Sequence, residues 1–291
     1  MNHEDWSDWP APAKLNLFLH IVGRRADGYH ELQTVFQLLD WGDRLRLRVR
    51  RDGAIARHGG LAQVAPAQDL VVRAADALRR HTGCGLGADI AIEKHIPAGG
   101  GLGGGSSDAA TTLVALNVLW NLGLSEDVLA EVGLGLGADL PVFVRGSSAW
   151  AEGVGERLTP IELPQRHFAI LDPQVTVPTA AMFQAPELTR NSPRLTISGF
   201  LAGSPTNNAF APVVRAQFAP VAAALDWLAR FGDARLSGSG GCVFVATDSA
   251  EAAADIVRAC PPAFRAYAAR GVNRSPLAAV VTRRRAAESA A

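Results

Sequence analysis

The chain has 291 residues, enough for one large or two ordinary domains and for a core that needs neither disulfides nor metal. An apolar share of 48% and a charged share of 19% exclude a mainly disordered chain or a coiled coil. Basic and acidic residues balance at 28 each, so no bulk field draws the chain to nucleic acid or an anionic membrane, and any anion must be held locally.

The start, Met1 to Trp9, is polar and acidic where a signal peptide would be basic and then apolar. From Lys14 to Ile21, Leu15, Leu17, Leu19 and Ile21 alternate with Lys14, Asn16, Phe18 and His20, which predicts a strand with one buried face and puts Lys14 and Asn16 on the same side. Asp27-Gly28 marks a turn, and the stretch around Val35 to Leu39 reads as the return strand of a hairpin. Leu45, Leu47 and Val49, alternating with arginines, suggest a further strand. Ile90 and Ile92 predict a short strand that Pro97 closes, followed by Gly99-Gly100-Gly101-Leu102-Gly103-Gly104-Gly105-Ser106-Ser107-Asp108 and a helix over Ala109 to Trp120, capped by Ser106, Ser107 or Asp108.

A second helix is expected from Ser125, with Glu126 and Asp127 suiting the dipole of its first turn, and it cannot pass Pro141 undisturbed. Val142 to Val144 and Ser148 to Glu152 read as short strands. Turn residues and two prolines in Gly153 to Pro164 place a division near residue 160, giving an N-terminal unit 1–160 and a C-terminal α+β unit 161–291. In the second unit, Val221 to Phe231 has helical spacing with Pro220 at the start and Gly232 at the stop. Ser237-Gly238-Ser239-Gly240-Gly241 leads into a buried strand, Cys242 to Ala246, and a helix capped by Asp248 or Ser249 runs to Cys260. Three cysteines without metal or CxxC spacing fit a reducing, cytoplasmic setting, and no uncharged apolar run approaches the ~20 residues that span a bilayer.

The glycine run is the strongest chemical signal. Residues without Cβ can turn successive backbone N–H groups inward around an anion, and the dipole of the following helix adds to that field. A flexible linker is the plain alternative, but it would not stand between a strand and a capped helix. Walker A needs Lys and then Ser or Thr after the last glycine, and Ser106 follows Gly105, so that reading fails. Gly99, Gly101 and Gly104 match the dinucleotide pattern GxGxxG, but the acidic residues at the required spacing, Glu126 and Asp127, open a helix rather than end a strand.

Pro97-Ala98-Gly99-Gly100-Gly101-Leu102-Gly103-Gly104-Gly105-Ser106-Ser107 resembles the central motif of the small-molecule kinase superfamily that contains galactokinase, homoserine kinase, mevalonate kinase and phosphomevalonate kinase. Within it the chain is similar to the 4-diphosphocytidyl-2-C-methyl-D-erythritol kinases in Pro12-Ala13-Lys14-Leu15-Asn16-Leu17, Arg25-Ala26-Asp27-Gly28-Tyr29-His30, Gly137-Ala138-Asp139-Leu140-Pro141-Val142-Phe143 and Leu236-Ser237-Gly238-Ser239-Gly240. The likeness runs from about Pro12 to Leu277.

It implies two α+β domains with ATP and an acceptor alcohol in the cleft between them. It also implies phosphorylation of the 2-hydroxyl of a cytidine-diphosphate-linked methylerythritol in the non-mevalonate isoprenoid pathway. On that resemblance Asp139 receives the hydroxyl proton, while Lys14 polarises the hydroxyl and keeps Asp139 ionised. Tyr29 stacks on the cytosine, His30 hydrogen-bonds it and Phe183 takes its other face. Asn16 and Thr179 contact the methylerythritol or its diphosphate, and the Ser237–Gly240 loop lies beside the phosphate tail. Mg²⁺ is implied by ATP chemistry, with Ser107 the one residue suggested as a ligand.

Each residue also has a plainer role open to it: a solvent-facing strand lysine, a turn aspartate before Pro141, a hairpin tyrosine, a core histidine, a buried phenylalanine, a Gly-Ser hairpin turn. Lys14 is conspicuous because only Lys94 shares its type among the 28 basic residues. Lys14 and Asp139 also separate a kinase from related non-catalytic sugar sensors, since a binding module needs neither a base nor its cation.

Overall fold

The computed structural model describes residues 5–289, with side chains to residue 286. The first half runs β1 (Ser7–Arg24), β2 (His30–Arg50), β3 (Ile55–Gly59), a 3-10 turn, α1 (Leu70–Thr82), β4 (Gly87–Glu93), α2 (Gly104–Leu119), α3 (Glu126–Leu134), α4 (Leu140–Arg145), β5 (Ala149–Gly153) and β6 (Arg157–Pro160). The second continues with β7 (His167–Asp172), α5 (Thr179–Gln184), α6 (Ile197–Leu201), α7 (Ala211–Gln217), α8 (Ala219–Leu228), β8 (Arg235–Leu236), β9 (Val243–Thr247), α9 (Ala250–Arg258), β10 (Arg265–Val272) and α10 (Pro276–Ser289).

The expected hairpin is present, but it is much longer than the alternation suggested. β1 and β2 pair antiparallel from Arg24↔His30 back to Ser7↔Leu47. Leu45, Leu47 and Val49 are therefore the far half of β2, not a separate strand. With β1 along one edge, β2 takes β5, β10 and β4 in succession along the other. β10 then continues the sheet through β7 and β9 to β8, so one ten-stranded sheet runs through both halves.

The expectation of one buried face on β1 also needs correction. Leu15, Ile21, Lys14, Asn16, Phe18 and His20 are all buried, because the second half of the chain covers both alternating sets. Leu15 and Ile21 pack in clusters with β7 and β9, Phe18 packs with Trp150 and Leu163, His20 meets Pro193 O, and Lys14 and Asn16 lie against the glycine loop and Ser237. The first apolar cluster packs α1, α2 and α4 on the sheet through Leu38, Leu47, Leu78, Leu116 and Phe143. The second joins β7 and β9 to α7, α8 and α9 through Leu171, Val245, Val214, Leu228 and Ile256. A third, with Leu15, Leu39, Leu102, Ile170 and Phe244, lies where the halves meet and anchors the glycine loop by its one non-glycine side chain.

Two helix expectations change. α2 begins at Gly104, with left-handed Gly103 as its N-cap residue, so Ser106, Ser107 and Asp108 lie inside the helix instead of capping it. Val142 to Val144 lie in the helix α4, not a strand. Three apolar residues carry no period of their own, and Pro141 in the first turn with left-handed Gly146 at the stop brackets a short helix. Ser125 and Ser249 cap α3 and α9 as expected, accepting from Val128 N and Ala252 N. Beyond β10, α10 returns to the first half, where Leu277, Val280 and Val281 join the first cluster.

Candidate active site

A cavity of about 620 Å³ opens along the glycine loop and draws its walls from both halves of the chain. Pro97 to Ser106 line it, with Lys14 and Asn16 from β1, Asp139 from the start of α4, Thr179 and Phe183 from α5, and Gly238 and Ser239 from the β8–β9 turn. Residues separated by more than 200 positions are thus brought together.

β1 delivers Lys14 to the glycine loop directly, since the Lys14 amide donates to Leu102 O at 3.0 Å. The ammonium donates to Asn16 Oδ1 at 2.5 Å and to Gly101 O at 3.0 Å, and lies 3.4 Å from Asp139 Oδ2. The Lys14 side chain is only 3% exposed and that of Asp139 is 35% exposed. A desolvated cation therefore backs a carboxylate that reaches the cavity, and the same-side placement read from the β1 alternation holds.

In the loop itself, Gly99, Gly101 and Gly103 have φ of +70°, +75° and +76°. Left-handed residues at alternate positions turn neighbouring N–H groups to one side, the geometry of an anion-binding nest. Gly101 also sits where the chain has no room for a side chain, because a Cβ there would lie 2.1 Å from Ser237 O. The Ser237–Gly241 segment is both things the sequence allowed: it turns β8 into β9, and it packs on the glycine loop. Ser237 Oγ donates to Gly101 O at 3.0 Å and accepts from Asn16 N at 3.3 Å, while Cys242 N donates to Gly100 O at 3.0 Å. Ser237 is fully buried and Gly240 packs on Val177, so Gly238 and Ser239 are the cavity-facing members of the turn. Ser239 and Thr179 hydroxyls share a hydrogen bond of 2.6 Å.

Tyr29 and His30 stand at the β1–β2 turn, outside the cavity lining. Tyr29 is 65% exposed, whereas His30 stacks on Phe183 with ring centroids 5.0 Å apart and planes 21° from parallel. Phe183 links this hairpin tip to the cavity. Ser107 lies inside α2, fully buried, with an Oγ that has no hydrogen-bond partner among the described residues.

Sequence reading missed a second charged group at the cavity wall. Lys94 bridges Asp43 and Asp108, the latter at 2.7 Å, and Asp43 Oδ1 also accepts from the His95 and Ile96 amides at 2.5 and 2.7 Å. Burial pushes the Asp108 carboxyl up to about 8, with Lys94 opposing and Asp43 adding. Burial disfavours the Lys94 charge, but the two carboxylates outweigh it and hold its pKa above the ordinary lysine value. Lys94's rarity was visible in the sequence; Asp43 gave no local signal. Arg190, which donates to His30 Nε2 at 3.3 Å, was missed too. No cluster of three or more His, Cys, Asp or Glu suited to a metal occurs among the described residues, nor does any helix long and apolar enough to cross a membrane.

Residues 69–147 match the GHMP kinases N terminal domain and residues 195–265 the GHMP kinases C terminal domain. The 4-diphosphocytidyl-2-C-methyl-D-erythritol kinase of Xanthomonas campestris pv. campestris is 57% identical over 94% of this chain and 92% of its own length. The chain belongs to the 4-diphosphocytidyl-2-C-methyl-D-erythritol kinase family. The Halorhodospira halophila member of that family is 55% identical over 94% of this chain and 96% of its own. A crystal structure of 4-(cytidine 5'-diphospho)-2C-methyl-D-erythritol kinase superposes with a TM-score of 0.79 at 33% identity, covering 91% of this chain and 99% of that one. A mevalonate kinase structure, at 16% identity and a TM-score of 0.67, shares the fold. As a member of this family the chain is an ATP-dependent small-molecule kinase of two-part α+β architecture.

Proposed function

We infer that the chain transfers the γ-phosphoryl group of ATP to the 2-hydroxyl of 4-diphosphocytidyl-2-C-methyl-D-erythritol, in the cytoplasmic, non-mevalonate route to isoprenoid precursors. Neither nucleic acid nor a membrane takes part. The observation that carries the reading is the Lys14–Asp139 pair in one cavity with the glycine loop, Lys14 bonded to the loop at Gly101 O and Asp139 3.4 Å from the ammonium. Phosphoryl transfer needs a cradle for the phosphates, compensation of charge and an in-line hydroxyl; the loop and Lys14 serve the first two, and Asp139 is the base for the hydroxyl that the acceptor brings.

ATP lies along Pro97 to Ser107, its phosphates held by main-chain amides of the glycine loop. Asp139 takes the proton of the acceptor hydroxyl as the oxygen attacks the γ-phosphorus; the bond from that phosphorus to the β–γ bridging oxygen breaks, and ADP leaves. Lys14 stabilises the developing negative charge on the attacking oxygen. Asn16 and Thr179 contact the polyol or its diphosphate, the turn Ser237-Gly238-Ser239-Gly240 borders the phosphate tail, and Tyr29, His30 and Phe183 hold the cytosine. The acceptor and ATP meet between units 1–160 and 161–291, with α10 packed back on the first.

The unpartnered buried oxygen Ser107 Oγ, beside the loop, fits the donor chemistry of Mg²⁺ and would hold it. When bound, that ion supplies neutralisation of phosphate charge.

A phosphoryl-transfer assay over homoserine, mevalonate and the cytidylated polyol tests the substrate, and turnover of the cytidylated polyol alone is expected. Asp139→Asn should keep ATP binding while turnover falls by about 10²–10⁴-fold, the usual worth of a general base. Loss of nucleotide binding in step with turnover would contradict the role given to Asp139.

A further inference from the structure

Arg190 follows α5 in the chain and is held by carbonyls at the end of that helix and in the loop after it. One terminal nitrogen donates to Leu188 O at 3.0 Å; the other donates to Phe183 O at 3.0 Å and Ala185 O at 2.7 Å. With both ends of the fork anchored, Nε–H points at His30 Nε2 at 3.3 Å. A guanidinium only donates and stays protonated at any working pH. His30 Nε2 must therefore present a lone pair, which leaves the ring neutral with its proton on Nδ1. Burial, then the charges of Arg190 and Arg24, lower the His30 pKa in the same sense. Phe183 covers one ring face, and Nδ1 has no partner among the described residues.

We propose that Arg190 is a specificity-determining positioning residue: by donating into Nε2 it fixes the Nδ1–H tautomer of His30, so the ring offers a donor that suits N3 of cytosine and opposes the N3–H of uracil. The two bases differ at that edge in the direction of one hydrogen bond. A donor facing N3–H leaves both groups unpaired, which is the strongest form of discrimination a small site has. The proposal rests on the reading of His30 as the cytosine contact.

The test compares kcat/KM for the cytidine- and uridine-diphosphate-linked polyols in wild type, Arg190→Gln and Arg190→Lys. A glutamine can turn its carbonyl toward Nε2 and release the other tautomer, so the cytidine preference should narrow by about 10- to 100-fold, the discrimination good hydrogen bonding to a base edge supplies, with KM for ATP within about twofold. Arg190→Lys keeps a partner that only donates and should retain most of the preference. A preference equal in all three proteins overturns the proposal. ¹⁵N NMR of the wild-type His30 ring should show a protonated Nδ1 and a bare Nε2; the reverse overturns it without any substrate or variant. His30→Ala separates the layers. An unchanged KM for the cytidylated polyol removes the base contact and the proposal with it. A raised KM, together with an Arg190→Gln preference like wild type, rejects Arg190 alone. Failure of wild type to phosphorylate the cytidylated polyol rejects the substrate reading, whatever the NMR shows.

Discussion

Lys14 and Lys94 both line the cavity, but they are held in different ways. Lys14 faces one carboxylate that reaches the cavity, whereas Lys94 is clamped between two that are largely enclosed. Asp43, 1% exposed, ties three groups at once: the Lys94 ammonium and the two amides that lead into the glycine loop. Asp43→Asn keeps an oxygen for those amides and puts an amide nitrogen against the ammonium. Hydrogen bonds to charged groups are worth about 1.5–3 kcal/mol, so KM for ATP should rise about 10- to 100-fold while KM for the acceptor holds. If the effect runs through Lys94, Asp43→Asn added to Lys94→Ala should change KM for ATP little further; simple additivity would place Asp43's role elsewhere. No local pattern marks Asp43 in the sequence, because its partners lie more than 50 positions away and two of them are backbone. Arg190 escaped notice for the same reason, its bonds being mostly to carbonyls that any residue carries.

Elements whose signals were redundant were legible from residue order alone. The β1–β2 hairpin, the strand before the glycine loop, and the capped α3 and α9 each rested on period, cap or motif together, whereas the candidate pair Lys14–Asp139 came from the resemblance to a known family. α4 was misread because three apolar residues are too few to show a period, and α2 starts early because a left-handed glycine takes the place of a side-chain cap. Within that stretch the glycines are not equivalent. Gly101→Ala forces a Cβ to 2.1 Å from Ser237 O at φ +75°, and both obstacles are backbone. The loop and the Ser237 turn must part, and a loss of about 2–4 kcal/mol is expected from strain and overpacking together. Gly105 is already inside α2, where a Cβ meets only Leu70 Cδ1 at an ordinary 3.5 Å. Gly105→Ala should raise stability by about 0.5–1 kcal/mol, as alanine does in a helix, yet raise KM for ATP because its methyl enters the cavity beside Leu70. Urea midpoints and KM for ATP on both variants check this. Equal destabilisation would show that the loop tolerates no side chain anywhere, and the distinction between its two ends would be lost.

Over the whole molecule, the least legible feature was how the halves join. The turn-rich stretch near residue 160 separates β6 from β7, yet β10 carries one sheet across both halves and α10 packs back on the first. Those contacts come from chain ends far apart in sequence, where local patterns are silent. What composition did reveal is the electrostatic setting. With 28 basic and 28 acidic residues there is no net charge to steer a triphosphate, and on the function proposed above its grip comes from short-range groups, chiefly the amides of the left-handed glycines. Salt screens exposed charges over about 10 Å at 0.1 M, but acts weakly on dipoles and cations in van der Waals reach of the ligand. At constant free Mg²⁺, kcat/KM for ATP should therefore fall by less than about threefold between roughly 0.05 and 0.5 M KCl. An enzyme that collects its nucleotide through a long-range positive field would lose tenfold or more over the same range, since steering contributes 10–10³ to association. A steep fall would mean that exposed arginines, and not the main chain of the glycine loop, hold the phosphates. The shallow profile should persist in Gly105→Ala, whose defect is steric, because a methyl group changes the fit of the nucleotide without changing the charge around it.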